Sequence, residues 1–131
     1  MIDPDIIRIN GIQNIQRSQS RLKDFAENEL ANELVVLKYR KLLIEIISMK
    51  RYLMAWNVSK TITSDKKKEI RDFLSYFQQD VKTRHFKILS FIRTNIKEVS
   101  PSVNKVLLQV KRCTEKTVRA CDQLSNKKEV L

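Results

Sequence analysis

Very little in this sequence interrupts a helix. One glycine and two prolines occur in 131 residues. Each proline stands where a helix begins, because Asp3-Pro4 and Ser100-Pro101 both read as an N-cap followed by proline at the first helical position. Between Gly11 and Pro101 nothing forces the backbone out of a helix. The expectation is an all-α fold.

Residues that carry chemistry are equally scarce. His85 is the only histidine, and Cys113 and Cys121 are the only cysteines. One imidazole and two separated thiols do not make a converging set of metal ligands. Glu-x-x-His and His-Glu-x-x-His are absent, which excludes a di-iron bundle or a zinc protease. Nothing beyond their coexistence supports a His85–Cys113 nucleophile pair across two helices. His85 stands in line with Val81 and Ile88, as a core or boundary imidazole would. Glycine loops and RNA-reading aromatic signatures are also missing. No catalytic residue, metal or cofactor is expected. The cysteines lie eight residues apart, about 12 Å along one helix, beyond disulfide reach. Two unpaired thiols fit a reducing compartment.

Long apolar runs are missing too. Glu45 and the pair Lys50-Arg51 cut the most hydrophobic stretch well short of the roughly 20 residues a bilayer span needs. The start, MIDPDIIR, has acids where a secretory signal needs positive charge. The expectation is therefore an intracellular protein, cytoplasmic or nuclear, without a transmembrane segment. Asn57-Val58-Ser59 matches a glycosylation acceptor, which means little without secretion.

The chain has ample hydrophobic residues for one core, 42%, and an excess of positive charge, 26 Lys plus Arg against 15 Asp plus Glu, or +11. The excess is uneven. Residues 1–37 hold four basic and six acidic groups, a net of −2, and residues 38–131 carry the remaining +13. A basic body suits an anionic partner, and a slightly acidic arm suits a contact with its own body or a neighbour's.

The apolar pattern divides the chain into a single helical domain over 1–131, with an N-terminal arm at 4–33, a body at 34–125 and a frayed tail at 126–131. The arm is weakly amphipathic, marked by Ile12, Ile15, Leu22, Phe25, Ala26 and Leu30. Residues 34–56 are apolar nearly all round, as in a central helix. The join near Asn28 and Asn32 is either a kink or no feature at all. Residues 57–64 have the character of a connection, with Asp65 as the next N-cap. The stripe Ile70, Leu74, Phe77, Val81, His85, Ile88, Ile92, Ile96, Val99 predicts a helix to about residue 98. After Ser100-Pro101, Val103, Val106, Val110, Cys113, Thr117, Ala120 and Leu124 make a heptad seam. The assembly expected is an antiparallel bundle of three to four helices with a long N-terminal helix. The arm either folds back as the fourth or reaches a second subunit.

Two basic clusters stand out. Lys105, Arg112 and Arg119 share one heptad position, about 10 Å apart and off the seam, flanked by Lys111 and Lys116. Aligned cations are what a phosphate backbone requires, although a solvated helix face looks the same in sequence. Lys66, Lys67 and Lys68 open a helix whose dipole they oppose, so local stability does not account for them. Met54 and Trp56 close the central helix and suit either the core or a partner helix. These features point to a non-enzymatic binding or assembly module. Its basic face would meet DNA, RNA or an acidic protein surface. The alternative is an interaction subunit, with Ile12, Ile15, Leu22, Phe25, Met54 and Trp56 taking partner helices or a second copy. Electrostatic adsorption to anionic lipid is a third reading.

Overall fold

The computed structural model describes the backbone of residues 4–55 and 59–130, and the side chains of Gln13, residues 15–55 and residues 59–130. In chain order these residues form helix α1 (Pro4–Ala55), strand β1 (Thr61–Thr63), helix α2 (Ser64–Asn95), helix α3 (Pro101–Ser125) and strand β2 (Lys128–Val130). The all-α expectation holds, with one small ladder added.

With no proline between Pro4 and its end at Ala55, α1 runs unbroken for 52 residues, about 78 Å at the usual rise. The helix is not broken at the join near Asn28 and Asn32. The arm is the first half of α1 rather than a fourth helix folded back on the body. Its described side chains through Glu27 are all exposed.

Packing begins at Asn28. Val35, Tyr39, Leu42 and Ile46 of α1 meet Phe77 and Ile88 of α2 and Val103, Val106 and Val110 of α3. A second cluster, at the other end of the body, joins Leu53 to Ile62, Ile70, Cys121 and Leu124. These contacts set the helix directions. Ser100 bonds to Asn32, and Leu53 packs with Cys121 and Leu124, so α1 and α3 run the same way. Tyr39 meets His85 and Leu53 meets Ile70, so α2 runs against both. Three helices pack up-down-up, and the expected antiparallel arrangement describes α2 against its neighbours but not α1 against α3.

Residues 34–56 are not buried all round as expected. Leu34, Leu37 and Ile44 are exposed. Two neighbours cover only one side of α1, and the residues on its far side have nothing among the described residues to pack against.

Two asparagines one turn apart hold the α2–α3 connection. Asn28 Oδ1 accepts from the Lys97 and Glu98 amides at 2.9 and 3.2 Å, and Asn32 Oδ1 accepts from the Ser100 amide at 2.8 Å. Both carboxamides donate to the Glu98 carbonyl at 3.0 Å. Backbone groups that the turn leaves without helical partners are thereby satisfied. The turn also ends α2 at Asn95, rather than near 98, and leaves Val99 exposed.

Thr63, not Asp65, caps α2. Its backbone is extended and its hydroxyl accepts from the Lys66 amide at 3.2 Å. Asp65 falls inside the first turn, where its charge complements the helix dipole. Ser100 caps α3 with Pro101 in its first turn, as expected, but through its backbone alone.

The tail, expected to fray, is paired instead. β1 and β2 form a parallel ladder that aligns Thr61 with Lys128, Ile62 with Glu129 and Thr63 with Val130. Ile62 turns inward against Ile70 and Leu124. Lys127 donates to the Ser59 carbonyl, and Lys67 meets Glu129 at 3.9 Å. The burial of Ile62 and these two cross-links anchor a segment whose own residues are polar.

A candidate cationic interface between α1 and α3

The parallel course of α1 and α3 determines which cations meet. With Ser100 held at Asn32 and Cys121 packed on Leu53, the last turns of α1 lie beside residues 116–124 of α3. A cleft of about 220 Å³ opens there. It is lined by Lys50, Lys116 and Arg119, by the apolar Leu53, Met54, Ala120 and Leu124, and by Gln123, with no acid among them. Lys50 was missed at the sequence level, where it only interrupted an apolar run. Seeing its role requires the direction of α3 relative to α1.

Lys105 and Arg112 continue the α3 row away from the cleft, and both are exposed, as are Lys116 and Arg119. None of these four, nor Lys50, forms an ion pair among the described residues. Glu115 lies four residues before Arg119 on the same helix and still makes no ion pair with it.

The structure separates the other predicted cations from this row. Lys111 projects toward α2 and lines a different cleft with His85, Leu107 and Val118. At about 100° per residue it sits roughly a quarter turn from Arg112, so it does not flank the row on the solvent side. Lys66 pairs with Glu69 at 3.4 Å and Lys67 with Glu129 at 3.9 Å, while Lys68 is exposed and forms no ion pair. Two of the three lysines are thus already matched by acids of the fold. They sit at the same end of the body as the cleft, since Leu124 also lines a neighbouring hollow with Lys66 and Lys127.

Of the residues expected to take a partner helix, Ile15, Leu22 and Phe25 are exposed on α1. Met54 is exposed too and lines the cationic cleft. The Ile12 side chain and Trp56 lie outside the described residues.

His85 is a boundary residue, half-buried between the helices. Its Nδ1 lies 3.0 Å from the hydroxyl of Tyr39, which is fully buried. Desolvation, and then the nearby Lys111 charge, lower the imidazole pKa from its usual 6.5. Desolvation raises the Tyr39 hydroxyl to about 12. A neutral ring and a protonated phenol share one hydrogen bond here, and its direction is set by which ring nitrogen carries the proton. Cys121 is fully buried, and its thiol is pushed up to about 11 by burial and then by Asp122. Among the described residues no group of three or more His, Cys, Asp or Glu side chains could hold a metal ion. No helix among them is long and apolar enough to cross a membrane.

No protein-family model matches this sequence, and no curated protein or solved structure matches it either.

Proposed function

We propose that this chain is a non-enzymatic helical module that docks a cationic face on an anionic polymer, with the phosphate backbone of nucleic acid as the leading partner. One observation carries the reading. Lys105, Arg112, Lys116 and Arg119 on α3, with Lys50 across the cleft, form a cationic edge to which no acid among the described residues is paired. Each such side chain that reaches a phosphate releases condensed counterions. None of the described residues that line the cleft is aromatic, which suits contact with the backbone rather than stacking on bases.

The test is titration of generic duplex DNA and single-stranded RNA over a range of salt. Affinity falls steeply with salt, and Arg112→Glu with Arg119→Glu reduces the log–log slope by about 2. Binding that ignores both salt and the double substitution removes the reading.

The exposed Ile15, Leu22 and Phe25 favour a second reading, an interaction subunit that captures helices along its arm. On that reading removal of residues 1–27 abolishes partner capture and leaves any DNA affinity intact.

A further inference from the structure

We propose that the outward face of α1 is a self-association seam, on which α1 of a second copy packs antiparallel about Leu37. Ile15, Leu22, Leu30, Leu37 and Ile44 recur at intervals of seven or eight residues and are 60, 68, 58, 58 and 64% exposed. At about 100° per residue they lie half a turn from Val35, Tyr39, Leu42 and Ile46, the α1 residues buried in the body. The helix thus has two apolar stripes on opposite sides, and the described residues cover only one of them.

The second stripe extends about 44 Å. Ile15 faces past the end of the second copy's α1, so with roughly 100 Å² left open on each of the other four side chains the stripe offers about 400 Å² per copy. A standard interface buries about 800 Å² per partner, and the flanking polar side chains supply the remainder. A strip of this size matches the largest apolar patch of an ordinary monomer, which is often a functional surface.

Charge selects the occupant and its direction. Glu33 and Arg40 lie on one flank of the stripe, on either side of Leu37, and neither has an ion-pair partner among the described residues. An antiparallel copy brings Leu37 to Leu37, Leu30 to Ile44 and Glu33 to Arg40, the last two twice by symmetry. A parallel copy sets each charge level with its own counterpart. The antiparallel pair also lays residues 19–33 of each arm along the second copy's α1. The described arm residues through Glu27 are exposed in the single chain, where they gain no support from tertiary packing.

Sedimentation equilibrium of the full chain tests the proposal. The expected mass is twice 15.5 kDa. Leu37→Glu gives the single-chain mass with unchanged far-ultraviolet circular dichroism. Glu33→Arg weakens the dimer about tenfold, and adding Arg40→Glu restores it. In a Cys113→Ser background, chains carrying Leu30→Cys cross-link to chains carrying Ile44→Cys in preference to their own kind. A wild-type chain of single mass overturns the proposal, as does a dimer that survives Leu37→Glu. A charge swap that fails to restore affinity, or like-with-like cross-linking, overturns the antiparallel arrangement. DNA titration with Arg112→Glu and Arg119→Glu is separate, so either proposal can fail without the other.

Discussion

Asn32 Oδ1 accepts the Ser100 amide proton at 2.8 Å, joining α1 to the first residue of the α3 cap across 68 positions of sequence. The same carboxamide donates to the Glu98 carbonyl at 3.0 Å and to the Asn28 carbonyl at 2.8 Å. Asn32 is itself buried, 2% exposed, so water cannot readily replace it at this junction.

Asn32→Ala therefore leaves a partly buried amide and carbonyl without their partner and destabilises the fold by about 2 kcal/mol. Asn28→Ala, at a more open position, costs about 1 kcal/mol. Urea denaturation of the two variants measures both. Equal midpoints for wild type and Asn32→Ala would show that the clasp contributes nothing.

Acid weakens the protein through His85. Its native pKa is below 6.5, the unfolded value, so below about pH 6.5 the unfolded chain binds the proton first. Stability therefore falls as pH drops through that window and levels off below the native pKa. His85→Gln flattens this part of the profile. Chemical denaturation of both proteins at stepped pH is the check, and parallel profiles would remove His85 as the cause.

The two thiols separate by reactivity. Cys121 is fully buried with a pKa near 11, whereas Cys113 is half-buried. A thiol reagent at pH 8 labels Cys113 first and reaches Cys121 at the rate of opening of the fold. Mass spectrometry of the time course shows the order, and early modification of Cys121 contradicts it.

On the anionic-partner reading, Lys50→Glu puts a carboxylate into the cleft beside Lys116 and Arg119. DNA affinity then drops about tenfold and the salt slope shrinks by about 1. Lys67→Glu, at a cation already matched by Glu129, changes affinity far less. Fluorescence anisotropy over a salt series compares them, and equal losses at Lys50 and Lys67 would speak for a diffuse field instead of the cleft.

The helices were legible in the sequence because scarce glycine and proline leave them uninterrupted and because α2 and α3 each bury one regular stripe. The stripe of α3 reads almost unchanged in the structure, through Val103, Val106, Val110, Thr117 and Leu124. The two sides of α1 were not legible. An apolar stripe facing the body and another facing away sum to a helix that looks greasy all round. The Asn28 and Asn32 clasp was hidden for a different reason. Its partners are backbone groups 66 to 70 positions away, and a polar residue in a helix announces no such distant bond. The lysines at 66 and 67 drew notice for opposing the helix dipole, but their acids at Glu69 and Glu129 became apparent only once the tail was seen to pair.

Holding Ser100 against Asn32 also fixes the rotational phase of everything downstream. α3 leaves that anchor as a rigid screw, and Arg119 reaches Lys50 only because the intervening turns are whole. Deleting one residue between Pro101 and Arg112 would turn the remainder of α3 by about 100°. It would swing the arginines off their edge and drive apolar side chains into water. The short bend between two helices is thus the index mark against which the charged face is aligned.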